Sequence, residues 1–154
     1  MKTGKPLAPA RALNRSTFAS LGLLALTLLF LSGCSPKVNI GLAETVVDQF
    51  HDKYSRDQFA EIYSSVDDDF RSSAKLPEWV AYQKSVKDTL GNFRSTELTN
   101  FNVMYVWGKS EVRLDYLSQF EKGKAQETFE VSVRRDKAVL SGYRVDSPLL
   151  PKEK

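Results

Sequence analysis

Glu111-Val112-Arg113-Leu114-Asp115-Tyr116 and, further on, Phe129-Glu130-Val131-Ser132-Val133-Arg134 alternate apolar and polar side chains without a break. Successive side chains of a strand point to opposite faces, so each stretch gathers its apolar members on one face. Phe120 extends the first apolar set, and Lys122-Gly123 supplies a turn between the two strands. Upstream, Phe101, Val103, Tyr105 and Trp107 alternate with Asn102, Met104 and Val106 and lead into a turn at Gly108-Lys109. Downstream, a turn at Asp136-Lys137 precedes Leu140, and Tyr143 and Val145 follow one residue out of phase. A bulge at Gly142 would restore their register. Four antiparallel strands result, and the inner positions Val112, Leu114, Tyr116, Phe129, Val131 and Val133 include no carboxylate.

Before Gly91 the period lengthens from two to about 3.6. Ala43, Val47, Phe50 and Tyr54, with Leu42 and Val46 beside them, predict a helix over 42–54. A second helix is expected from Ser55, where Ser55 and Gln58 have capping-box spacing, Tyr54 and Phe59 form a hydrophobic staple, and Ile62, Tyr63 and Val66 continue the stripe. Asp67-Asp68-Asp69 interrupts the pattern. A third helix should run from about Pro77 to Gly91, burying Trp79, Tyr82, Val86 and Leu90. The expected class is α+β, with three N-terminal helices packed on one face of a curved four-stranded meander.

The net charge of +3 has a local origin. Lys2, Lys5, Arg11 and Arg15 are the only charged residues in 1–34; without them 18 basic residues face 19 acidic ones, which removes the argument for a nucleic-acid partner. After Arg15 the run Phe18 to Leu31 is uncharged and about 14 residues long. That is short for a bilayer span of about 20 residues but right for a secretory leader. It ends in Leu31-Ser32-Gly33-Cys34, which resembles the lipobox of bacterial lipoprotein signal peptides.

That resemblance covers residues 1–34. It implies a diacylglyceryl group on the Cys34 thiol, cleavage between Gly33 and Cys34, and acylation of the new amino terminus. The chain has no second Cys, and a lone thiol in an oxidising compartment is a liability that a thioether removes. Ser35 stands where an Asp in that class marks retention at the inner membrane, so the resemblance implies an outer-membrane location facing the periplasm. The organisation expected is a signal peptide over 1–33, lipidated Cys34 with a tether to Gly41, a domain over 42–147 and a tail over 148–154. The order of elements in 42–147 resembles the cystatin-like and nuclear-transport-factor-like folds. The resemblance rests on topology and carries no motif.

Candidate chemistry is sparse. His51 is the only histidine, with Asp48 three residues before it and Ser55 four after, at the margin of the first stripe. No nucleophile-elbow glycines surround any serine. A calcium loop begun at Asp67 would place Asp69 third and Glu78 twelfth but would put Arg71 at a ligand position and Ser72 where glycine is required. One Cys and one His do not close a zinc site, and the scattered glycines make no phosphate loop. Arg113, Arg134 and Arg135 read as a solvated face interleaved with Asp115 and Glu130. No catalytic residue, metal or cofactor is therefore assigned. The expected function is a non-enzymatic envelope lipoprotein, held to the membrane by lipid on Cys34, that binds an envelope protein or a small apolar ligand. The alternative is a small periplasmic enzyme using a pocket acid or His51. A deep pocket holding a desolvated carboxylate would favour the alternative, and a filled interior the binding module.

Overall fold

The computed structural model describes residues 36–151, with side chains from Asn39 onward. The leader, Gly33 and Cys34 lie outside the described residues. Among the described residues four helices precede four strands: α1 (Pro36–Ser55), α2 (Phe59–Ser64), α3 (Asp68–Ser73) and α4 (Leu76–Leu90), then β1 (Phe93–Val106), β2 (Lys109–Phe120), β3 (Lys124–Arg134) and β4 (Lys137–Asp146). The strands form one open antiparallel sheet in sequence order. The class is α+β, with one helix more than the periodicity predicts.

β2 and β3 behave as the alternation requires. Val112 faces Val131 and Leu114 faces Phe129 across the ladder, and all four are buried. Ala43, Val47, Phe50 and Tyr54 of α1 join the same core. Burying each large side chain of this kind contributes about 1.5–3 kcal/mol. Between β3 and β4, Glu130 pairs with Gly142 but Val131 pairs with Leu140, so Ser141 is the extra residue. The bulge expected at Gly142 thus falls one residue before it, and it returns Leu140 to the buried face. A Cβ on Gly142 would stand 2.7 Å from Glu130 Oε2, so the cross-strand carboxylate fills the space that glycine leaves.

The helices depart from expectation at their ends. α1 is described from Pro36 rather than Leu42, so residues 36–41 of the expected tether are helical, and Asn39 is buried there, its Nδ2 donating to Ser110 Oγ at 2.9 Å. α1 also runs through Ser55, so the Ser55 hydroxyl donates back to the His51 carbonyl at 2.8 Å and the expected capping box does not form. Gln58 is the N-cap of α2 without a side-chain bond. Asp57, at φ 60°, turns the corner between the helices, and the Tyr54 and Phe59 rings meet across it at 5.8 Å.

Asp67-Asp68-Asp69 opens a helix rather than ending one. The Asp67 carboxylate accepts from Phe70 N at 2.8 Å as N-cap of α3, and Asp68 pairs with Arg71 at 2.7 Å one turn on. On α4, Trp79, Val86 and Leu90 are buried as predicted, but Gln83 takes the inner place expected for Tyr82, which is 40% exposed.

The two sheet edges differ. Val66 bridges to Leu140, and Asp67 N donates to the Leu140 carbonyl at 3.0 Å, so the chain entering α3 covers part of the β4 edge. Among the described residues β1 pairs only with β2. Phe101 and Tyr105 face Leu114 and Ser110 across the ladder, as an inner set should, yet they are 52% and 59% exposed. The alternation sets their face, but among the described residues no element buries them.

Candidate functional site

Continuing the alternation of β3 back from Phe129 places Glu127 and Ala125 on the buried face, and Glu127 is fully enclosed. The interior therefore does contain a carboxylate, contrary to the expectation from residues 129–133. Starting the strand at Phe129 hid it; the period of two, carried one step upstream, would have found it.

Both oxygens of Glu127 are occupied. Oε2 is 2.9 Å from His51 Nε2, and Oε1 accepts from the Tyr143 hydroxyl at 2.7 Å. His51 lies beside Phe50 on α1 and completes the stripe of Val47, Phe50 and Tyr54, so it is buried rather than marginal. Its ring stacks on Phe93 at 3.8 Å and meets the edges of Phe50 and Phe129 at 5.7 and 5.5 Å. The Tyr143 ring packs 4.5 Å from Phe50 and 5.1 Å from Phe129. Burial, then the Glu127 charge, then the hydrogen bond to it push the Tyr143 hydroxyl well above the usual tyrosine range. A carboxylate stripped of water costs several kcal/mol unless it is paired. Here an imidazole and a phenol from two other elements supply the pairing.

Part of His51 also forms the wall of a surface cleft of about 210 Å³, lined further by Asp48, Asp52, Ser55, Phe93 and Thr96. The Ser55 hydroxyl is committed to the His51 carbonyl, and Thr96 Oγ1 pairs with Ser118 Oγ at 2.8 Å. Neither hydroxyl bonds the imidazole among the described residues. Glu127 does not line the cleft. The arrangement can fix the orientation of His51 through Glu127, which Tyr143 holds from the other side.

The remaining candidates are dispersed. Asp67 and Asp68 serve as cap and ion-pair partner, while Glu78 accepts from Lys75 N at the start of α4. Among the described residues no group of three His, Cys, Asp or Glu could hold a metal ion. Arg113 lies between Asp115, at 3.2 Å, and Glu130, at 4.0 Å, on the outer face of the sheet.

A second feature escaped sequence reasoning. Phe101, Met104, Tyr105, Val106 and Trp107 are all exposed, Trp107 to 95%, on both faces of the β1–β2 hairpin. The signal was present, since Met104 and Val106 make this strand apolar on its nominally polar side. No family model matches the chain, and no curated protein matches it.

Proposed function

We propose that this chain is a lipid-anchored lipoprotein of a bacterial envelope, facing the periplasm. Cys34 carries the lipid, and the α+β domain binds another envelope component or a small apolar ligand without chemistry of its own. The leader supports the anchor: four basic residues, an apolar run and Leu31-Ser32-Gly33-Cys34 stand in the order a lipoprotein signal requires. Two or more acyl chains hold stably where one binds marginally. Ser35, in place of a retention Asp, favours the outer membrane. Helices followed by a four-stranded meander favour a cystatin-like or nuclear-transport-factor-like relationship.

The observation that carries the binding role is the filled interior. Both Glu127 oxygens are taken by His51 and Tyr143, and Phe50, Phe93 and Phe129 pack around the two rings, whereas a large apolar surface stands open on the hairpin. Exposed apolar patches of this kind mark interaction sites in soluble domains. Two experiments on the full chain in cells test the reading. Cys34→Ala abolishes incorporation of a fatty-acid analogue and leaves uncleaved or mislocalised precursor; normal labelling contradicts the anchor. Crosslinking of the wild-type protein, followed by identification of what is captured, yields an envelope component, lipid included, at the hairpin; capture only through the His51 cleft contradicts the assigned surface.

The enzyme reading has one observation in its favour, the Glu127-supported His51 edge in the cleft beside Asp48 and Asp52. It requires that His51→Asn abolish cellular function while leaving the unfolding midpoint near that of the wild type. On the binding reading, any loss of function follows the loss of stability.

A further inference from the structure

The exposed hairpin and the start of the described chain lie at the same end of the molecule. Asn39, near the N-terminus of α1, donates to Ser110 just past the β1–β2 turn, and a shallow cleft there is lined by Asn39, Tyr105, Gly108, Lys109, Val133 and Arg135. Cys34 precedes Asn39 by five residues. With the chain helical from Pro36, those residues can span at most about 12 Å, at 1.5 Å per helical residue and up to 3.6 Å per extended one. A lipid on Cys34 therefore enters the bilayer within about 12 Å of Asn39 and the hairpin turn beside it.

The turn is built unlike the rest of the surface. Trp107 stands at φ 48° and Gly108 at φ 79°, the conformation that brings a two-residue hairpin to a narrow tip. Trp107 at 95% exposure is flanked by Tyr105, Val106 and Met104, and the neighbouring β3–β4 turn exposes Arg134, Arg135 and Lys137 against the single acid Asp136. Trp and Tyr are favoured at the headgroup level of a membrane, and cationic side chains beside them meet lipid phosphates. A soluble protein partner would account for the apolar patch, but not for the basic turn beside it or for both lying at the anchored end.

We propose that the tip of the β1–β2 hairpin, Met104 to Trp107, docks into the phospholipid surface that holds the anchor, with Arg134, Arg135 and Lys137 against the headgroups. The domain would then be fixed in orientation on the membrane rather than hanging from its lipid. This rests on the anchor reading, and the test separates the two.

Full-length lipidated protein, wild type and Trp107→Phe, is reconstituted in vesicles of phosphatidylethanolamine and phosphatidylglycerol with plain or brominated acyl chains, and acylation of Cys34 is read on the same samples by fatty-acid labelling. Trp79 is buried, so the difference between the two proteins reports Trp107. The expected result is that brominated chains reduce the Trp107 signal roughly by half, as for a side chain at the headgroup and acyl boundary, and leave the Trp79 signal unchanged. If Cys34 is acylated and Trp107 is not quenched by bromine, docking is overturned and the anchor stands; this holds whether Trp107 is open to aqueous acrylamide or shielded from it by protein. If Cys34 carries no acyl chain, the anchor reading fails and docking falls with it.

Discussion

The β4 side of the sheet and the β1 side carry similar apolar alternations and meet opposite fates. Beside β4, the chain between α2 and α3 covers the edge at Leu140, and Tyr143 reaches inward to a carboxylate. At β1, Phe101 and Tyr105 occupy inward register positions and remain more than half exposed. Alternation sets which face a side chain joins; burial depends on whether another element lies over that face. An exposed inner face on an edge strand is a liability that proteins usually blunt, and keeping it points to use.

Substitutions should separate the two regions sharply. Glu127→Ala removes the common partner of His51 and Tyr143 and opens a void, and is expected to cost about 3–5 kcal/mol in denaturant unfolding. A loss below about 1 kcal/mol would mean that the row contributes little to the fold. His51→Ala strips Glu127 of its imidazole and should cost about 2–4 kcal/mol, so the tolerance that a marginal histidine would allow is not expected. In the opposite direction, both side-chain amide atoms of the buried Gln83 lack a hydrogen-bond partner among the described residues. Gln83→Met should therefore raise stability by about 1–2 kcal/mol, read as a shift of the urea midpoint at unchanged slope.

The alkaline limb of stability reports on the buried tyrosines. Burial raises the Tyr143 hydroxyl, and burial followed by the charges of Glu44 and Asp48 pushes Tyr116 up to about 12. A raised value means that the folded state favours the neutral form. The contribution is thus complete below the unfolded tyrosine value of about 10 and is lost as the pH rises above it. Stability should fall from about pH 10 upward, and less steeply in Tyr143→Phe. An unchanged alkaline slope in that variant would remove Tyr143 from the effect. The smallest change is at the tip, where Trp107→Ser should alter unfolding by less than about 0.5 kcal/mol, because a side chain that is 95% exposed has little to lose.

Much of this was legible in the chain. The inner sets of β2 and β3, the phase slip at Gly142 and the α4 stop at Gly91 follow from periodicity and turn chemistry, and each is found where those rules place it, the slip to within one residue. The misses have physical reasons. Ser55 and Gln58 have capping-box spacing, but α1 gains enough from burying Phe50, His51 and Tyr54 to run on through Ser55. Asp67 looked like a breaker because N-caps and turns use the same residues. Glu127 lies upstream of Phe129, where the strand reading begins, and the distant His51 and Tyr143 make its burial tolerable. Coverage of β1 depends on how far the helices reach, which no local pattern encodes.

The proposed anchor is tested most directly at the amino terminus of the purified protein. Intact-mass and peptide analysis of the protein purified from membranes should find a chain beginning at Cys34 with a diacylglyceryl thioether and an acylated amine. A free Cys34 thiol, or the leucine-rich leader still attached, would contradict it.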